Sequence, residues 1–412
     1  MLNEQQQREL CFVVKVDAVE PISGKDRVES VAVSGWRIMC KKNQFKVGDL
    51  AIYFEVDSKV PEKEPFMFLA QKHFKVKIQK YGNFYSQGLL MSPSDFNWYV
   101  TKDDNGKPYF YDAVTKTRYY EGDFLTKRLE VTYNDPEDQK RKTAIDKYQP
   151  MFQRYNKFFR KPIIRKISKT ELGKKFFYAI LGKSLLKKKK FPTHLPYVKI
   201  TDEERVENMP WVCGSEKPWI KTLKIDGTST TFILERKGKK RFEFYVCSRQ
   251  VRQLTPRQSC YFKDEGNVYW EMAFKYDIKK VLTQILKENP QWSYICLQGE
   301  TAGPALQGNP HKLPERRFYG YNFIDSESGR WGSVAAKEYL SKYNILWVPI
   351  VDTEYYIPED LEEFKLSADG DIELEDASGI REGYVYRSLD GKESFKNVSR
   401  VYQCKVLYKK GS

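Results

Sequence analysis

The apolar residues of this 412-residue chain fall in short runs broken by turn residues, and that spacing limits the fold more than any other feature. Phe12, Val14 and Val16 alternate with other residues, Val31 and Val33 repeat the pattern, and residues 50–56 form a run behind the Lys46-Val47-Gly48-Asp49 turn. A period of two marks a strand with one face in a core. Gly24, Gly35 and Gly48 interrupt these runs at the spacing of a small closed barrel, which Gly82, Gly88 and Leu89-Leu90-Met91 continue. Gly122-Asp123 makes another turn before a boundary near Pro136, so residues 1–136 are expected to form one barrel domain. Within it, residues 99–120 are polar and aromatic around an Asn105-Gly106 hairpin signal and read as an insertion.

Beyond Pro192 the pattern is mixed. Ile278, Val281, Leu282, Ile285 and Leu286 share one face of a helix expected over residues 277–287, ending before Asn289-Pro290. Around it, residues 232–234, 242–246, 294–297, 318–324, 346–351 and 384–387 are short, aromatic or β-branched, and read as strands. Strands outnumber helices, and no glycine-rich loop opens a helix, which sets aside Rossmann and Walker-type nucleotide sites. The expected class is α+β: a β-barrel, then a domain over residues 191–412 of antiparallel sheets flanked by helices.

Charge separates the two. The net charge is +16, yet residues 151–200 hold 15 lysines and arginines against one acid, Glu171, so the rest of the chain is close to neutral. Residues 137–190 read as a basic, partly helical connector, with Phe158, Phe159, Phe176 and Phe177 among the cations and Lys187, Lys188, Lys189 and Lys190 in a row. Such a segment can track phosphates or merely keep a linker solvated. Seven cysteines, never spaced C-x-x-C, argue against a disulfide framework or a zinc ribbon. His73, His194 and His311 are isolated, so a catalytic metal should be a hard ion on oxygens. The polar start and the lack of a membrane-length apolar run predict an intracellular protein with no membrane association.

The chemistry concentrates in Lys224-Ile225-Asp226-Gly227-Thr228-Ser229. Alone, this is a hairpin with an ordinary lysine. Its companions change the reading: Gly299-Glu300, then Tyr319-Gly320-Tyr321-Asn322-Phe323, then Glu382-Gly383-Tyr384-Val385-Tyr386-Arg387, then Phe395-Lys396 and Cys404-Lys405. A lysine, separated carboxylates, an aromatic platform and late lysines make the set needed for lysine attack on a nucleotide α-phosphate. A lysine at its ordinary pKa is protonated and inert, so it needs neighbouring cations, a metal or desolvation. Magnesium takes one or two carboxylates and keeps several waters, which Asp226, Glu300 and Glu382 can supply.

In this order the motifs resemble those of the covalent nucleotidyltransferase superfamily of ligases and capping enzymes. Within it, the chain looks most like the fifth RNA ligase family, which carries an N-terminal OB domain. The segment from Lys199 to Asn208, the Ser248-Arg249 pair and the barrel's Val47-Gly48-Asp49, Ser86-Gln87-Gly88-Leu89 and Glu121-Gly122-Asp123 carry the further likeness. The resemblance implies that Lys224 accepts AMP from ATP and that Asp226 places the metal, Mg²⁺ or Mn²⁺. It implies that Glu300 binds the ribose or metal waters, that Tyr321 stacks on adenine, with Tyr319 and Phe323 as neighbouring choices, and that Glu382 holds metal waters. Lys396 would contact the α-phosphate, with Lys405 as the other late lysine. Arg249 would meet a ribose, and Arg205 the outgoing phosphates.

The implied activity is an ATP-dependent RNA ligase joining 5′-phosphate and 3′-hydroxyl RNA ends, at nicks in duplexes, in RNA repair. With seven residues after Lys405, the C-terminal OB domain of capping enzymes and DNA ligases is not expected here. A capping guanylyltransferase, an ATP-dependent DNA ligase and a non-catalytic RNA-binding OB protein stay open as alternatives. The expected partner is RNA, and no protein partner is implied. On the barrel, Lys41, Lys42, Phe45, Lys72, Phe74 and Lys75 are candidate RNA contacts.

Overall fold

The computed structural model describes residues 8–133, 161–168, 170–181, 202–238, 241–249, 252–253 and 267–407. In the N-terminal part, Cys11–Lys15, Leu50–Phe54 and Leu89–Met91 form one antiparallel sheet, and Ala18–Ile22, Lys25–Val33 and Trp36–Lys41 form a meander. Alternate residues of the central strands feed two cores. Cys11, Val13, Leu50, Ile52 and Phe54 face one, while Phe12, Val14, Ala51 and Tyr53 face the other. Burial on both faces is why the strand Leu50–Phe54 is apolar throughout instead of alternating.

The expected insertion is a second meander of Tyr99–Lys102, Pro108–Asp112 and Thr117–Tyr119, turning at Gly106. It packs on the first sheet: Phe110, fully buried, joins Trp98 in the core that holds Val13 and Ile52. Phe45 and Phe74 are also core residues, which removes them as stacking platforms for RNA. Of the connector, the structure describes two helices, Pro162–Ser168 and Glu171–Leu181. Phe176 is exposed and Phe177 buried, whereas Phe158, Phe159 and Lys187 to Lys190 lie outside the described residues. No helix among the described residues is long and apolar enough to cross a membrane.

The C-terminal part contains two five-stranded sheets around one core. In the first, Glu204–Arg205, Ser394–Val398, Gly383–Ser388, Trp219–Leu223 and Ile350–Tyr355 lie side by side in that order. In the second the order is Phe242–Ser248, Thr228–Arg236, Tyr294–Ala302, Arg317–Asp325 and Gly329–Arg330. The expected helix runs Ile278–Glu288 and buries Ile278, Leu282, Ile285 and Leu286. The strand expected over residues 346–351 instead occupies Ile350–Tyr355. Leu346 and Val348 bond to Gly320 of the other sheet, and Pro349, having no N–H, separates that bridge from the strand.

Residues 202–208 join the two parts. Arg205 lies opposite Lys396 in a parallel pairing that adds this segment to the edge of the first sheet. On its other side the Gly35 N–H donates to the Glu207 carbonyl at 2.8 Å, Trp36 Nε1 to Asn208 Oδ1 at 2.7 Å, and Gln87 Nε2 to Glu207 Oε1 at 2.8 Å. Lys365 Nζ donates to the Gly35 carbonyl at 2.9 Å. A Cβ on Gly35 would stand 2.6 Å from the Glu207 backbone, so only glycine permits this approach. Gly35→Val should therefore lower stability by about 1–3 kcal/mol, read as a lower denaturant midpoint. An unchanged midpoint would mean that the two parts do not meet this closely.

Candidate active site

Lys224 stands where the chain leaves one sheet for the other. Trp219–Leu223 belongs to the first sheet and Thr228–Arg236 to the second, so residues 224–227 form a crossing and not the hairpin that Asp-Gly alone suggests. The crossing passes so close to the strand bearing Glu300 that a Cβ on Gly227 would lie 2.2 Å from the Thr301 carbonyl oxygen. The Lys224 N–H donates to the Gly383 carbonyl at 3.0 Å, fixing it beside the start of the strand that follows Glu382.

Lys224 Nζ donates to Glu382 Oε1 at 2.7 Å. Burial favours the neutral amine, but Glu382, then Glu300 and Asp226, outweigh it and raise the Lys224 pKa above that of a free lysine. The lysine is thus held charged in this state. Asp226 is anchored from two directions: its Oδ2 accepts from the Tyr402 hydroxyl at 2.6 Å, and its N–H donates to His311 Nε2 at 2.9 Å. Burial, with Asp226 and Glu382 beside it, keeps the Tyr402 phenol protonated by raising its pKa.

Lys396 puts a second, more deeply buried amine in the same field. Its Nζ donates to Asp202 Oδ1 at 2.8 Å, and Arg249 Nη2 donates to Asp202 Oδ2 at 2.9 Å. Burial pushes the Lys396 pKa down to about 8; Asp202 opposes this, and Arg8, Arg205 and Lys224 reinforce it. Burial would raise the Asp202 pKa, but Lys396, Arg8 and Arg249 together hold it below the usual carboxylate range.

Tyr321 is set apart by a β-bulge. Gln298 pairs with Asn322 and Gly299 with Gly320, which leaves Tyr321 without an opposite residue. Bulges re-aim a side chain beside a site. Tyr321 is half-buried, with its hydroxyl 3.2 Å from Ser229 Oγ and the Arg387 guanidinium 5.8 Å from its ring centre. Tyr319 and Phe323 are buried in the core, so Tyr321 is the most open ring of the three.

Arg205 and Lys405 stand differently. The Arg205 guanidinium is buried at the junction with the barrel, 3.4 Å from Glu55 and 3.5 Å from Asp57. Lys405 is exposed on the final turn, Gln403–Leu407. Asp202, Tyr402, His311 and Arg8 were not among the expected site residues. Asp202 lies in the segment singled out ahead of the nucleophile, and its acid-rich stretch was the available signal. For Tyr402, His311 and Arg8 no local signal exists, because each reaches the site from a distant part of the chain.

A hard divalent ion fits this donor set. Among the described residues no three or more His, Cys, Asp or Glu side chains gather closely enough to cage an ion alone. Glu382 Oε2, however, is buried with no hydrogen-bond partner, an orphaned oxygen beside Lys224. An ion that keeps most of its waters and takes few carboxylates suits such a site.

Comparison with known proteins agrees with this architecture. Residues 217–402 match the RNA ligase family, and residues 10–93 match an OB-fold domain family. No curated protein matches the chain by sequence. Solved structures of the Naegleria gruberi RNA ligase share the fold. An arginine-to-alanine variant with ATP and Mn superposes with a TM-score of 0.68 at 22% identity, covering 97% of this chain and 99% of that one. The same enzyme with PPi gives 0.67 at 24% identity, with coverage of 97% and 99%. The segment that matches the RNA ligase family carries Lys224, Glu300, Glu382 and Lys396, and the segment that matches an OB-fold domain lies in front of it.

Proposed function

We propose that the protein is an ATP-dependent ligase that seals 5′-phosphate and 3′-hydroxyl RNA ends at nicks in duplexes through a lysyl-AMP intermediate on Lys224. The observation that carries this reading is the half-buried Lys224 amine, bonded to Glu382 and lying in the field of a second amine, Lys396. Nucleotidyl transfer needs mainly a positioned nucleophile and neutralisation of phosphate charge.

In the first step Lys224 Nζ, having lost a proton, forms a bond to the α-phosphorus of ATP as the bond to pyrophosphate breaks. Lys396 offers its charge to the α-phosphate, Arg249 contacts a ribose, and Tyr321 covers the adenine. Glu382, Glu300 and Asp226 would hold a Mg²⁺ or Mn²⁺ ion directly or through waters, and such an ion would supply positive charge to the phosphates and offset the carboxylates that keep Lys224 protonated. AMP then passes from Lys224 to the RNA 5′-phosphate, and the 3′-hydroxyl displaces it to close the strand. Holding both ends in line can lower the barrier by roughly 7–11 kcal/mol, which favours a bridged nick as substrate. The Naegleria gruberi enzyme, solved with ATP and Mn and with AMP and Mn, supports the choice of nucleotide and metal.

Two measurements on the wild-type protein test this. Covalent label should come from α-labelled ATP and not from GTP; preference for GTP would indicate a capping enzyme. Nicked duplexes whose 3′-hydroxyl strand ends in ribonucleotides should be sealed, and those ending in DNA much less well. Equal sealing of both would point to a DNA ligase.

A further inference from the structure

Five cations lie close together around Lys396 and Asp202: Lys224, Lys396, Arg249, Arg205 and Arg8. Like charges this close repel, and in low dielectric the repulsion is strong. One carboxylate, Asp202, meets three of them, Lys396, Arg249 and Arg8. It accepts from Lys396 Nζ at 2.8 Å on one oxygen and from Arg249 Nη2 at 2.9 Å on the other. Arg8 Nη1 stands 3.8 Å from the second oxygen.

Arg8 belongs to the barrel part. Its guanidinium also pairs with the buried Glu55, and it lies 5.7 Å from the centre of the Tyr133 ring. Glu55 in turn lies 3.4 Å from Arg205, the residue opposite Lys396 in the parallel pairing. A continuous chain of charge contacts therefore runs from the barrel, through Arg8 and Asp202, to the two cations expected to grip the nucleotide.

We propose that Asp202 is a positioning residue for nucleotidyl transfer, fixing Lys396 and Arg249 relative to each other, and that Arg8 of the barrel domain holds Asp202 in place. This rests on the reading of Lys224 as the adenylated residue. Asp202 acts through Lys396 and Arg249 and needs no contact with the substrate. It also makes the OB domain part of the nucleotide pocket in the first step, before RNA arrives.

The charges around Lys396 make the test directional. From its own strand and the packed elements, the groups in its field are Asp202, Arg8, Arg205 and Lys224, with only Asp202 favouring the ammonium among those named. Lys396 must be charged to bind phosphate, so the rise of adenylation with pH that deprotonation of Lys224 brings should break at the Lys396 pKa, near 8 in the free protein, and the alkaline limb begins there. Asp202→Asn removes the favourable charge and should move that alkaline limb to lower pH by about one unit or more, with a roughly 10-fold or greater loss of rate. Arg8→Gln removes an unfavourable charge and should move the limb to higher pH. Asp202→Glu, which keeps the charge, should return the limb toward the wild-type position.

The experiment is the rate of label transfer from α-labelled ATP to the full-length protein against pH, with Mn²⁺, for wild type and the three variants. Opposite displacements for Asp202→Asn and Arg8→Gln are expected. A merely structural role would lower the rate of both variants without separating their limbs, and that outcome, or unchanged profiles, overturns the proposal. If the wild type itself takes no label, the reading of Lys224 fails first.

Discussion

Lys224→Ala should abolish covalent labelling by α-labelled ATP and reduce ATP-dependent sealing of a 5′-phosphate nick by roughly 10⁴-fold or more. Removing a covalent nucleophile removes the pathway, not one contribution to it. The substitution also removes the partner of Glu382 Oε1, so a denaturation midpoint near the wild-type value is needed as a control. The same variant should retain sealing of a nick whose 5′-phosphate already carries AMP. That final step uses the RNA adenylate and a 3′-hydroxyl, with AMP as leaving group and no lysine adduct. Loss of both activities would assign Lys224 to substrate binding instead.

The second large effect is expected at Glu382. Glu382→Gln keeps the shape of the side chain but removes the carboxylate named first among those raising the Lys224 pKa. Two consequences follow with different signs. Lys224 must be neutral to attack, so its reactive fraction grows as pH rises, and a lower pKa moves that acid limb to lower pH. The rate at any pH should nevertheless fall by roughly 10²–10³-fold, because the orphaned Oε2 beside the lysine is lost as an oxygen donor for the divalent ion. The requirement for Mn²⁺ should rise accordingly. A variant with wild-type rate and metal requirement would remove Glu382 from the site.

How much of this was legible in the sequence depends on the distance over which each signal acts. The helix over residues 278–288 and the strands holding Phe232, Tyr294, Phe318 and Tyr384 follow from local periodicity, and the structure has them. Trp219–Leu223 escaped because Lys221 and Thr222 mask its apolar character, and the strand is fixed by neighbours from residues 350–355 and 383–388. Ser333–Ser341 escaped because it is short and weakly patterned and takes its stability from Ala336 and Leu340 in the core. Tertiary context routinely overrides weak local propensity.

The site divides in the same way. Lys224, Asp226, Glu300, Glu382 and Lys396 were named because each sits in a short motif, and the structure gathers their charges around one amine. The bulge at Tyr321 is a property of strand pairing and leaves no trace in residue order, although it bears directly on which of three aromatics is open. Asp202 and Arg8 illustrate the limit most clearly. They are 194 residues apart in number and acquire meaning only once both stand beside Lys396.

Localisation of the AMP adduct tests the central claim most directly. Incubation of the wild-type protein with ATP and Mn²⁺, followed by proteolysis and mass spectrometry, should place AMP on Lys224 through an acid-labile phosphoramide bond, and pyrophosphate should remove it. Recovery of AMP on Lys396 or any other residue, or of adenylated RNA with no protein adduct at all, would contradict it.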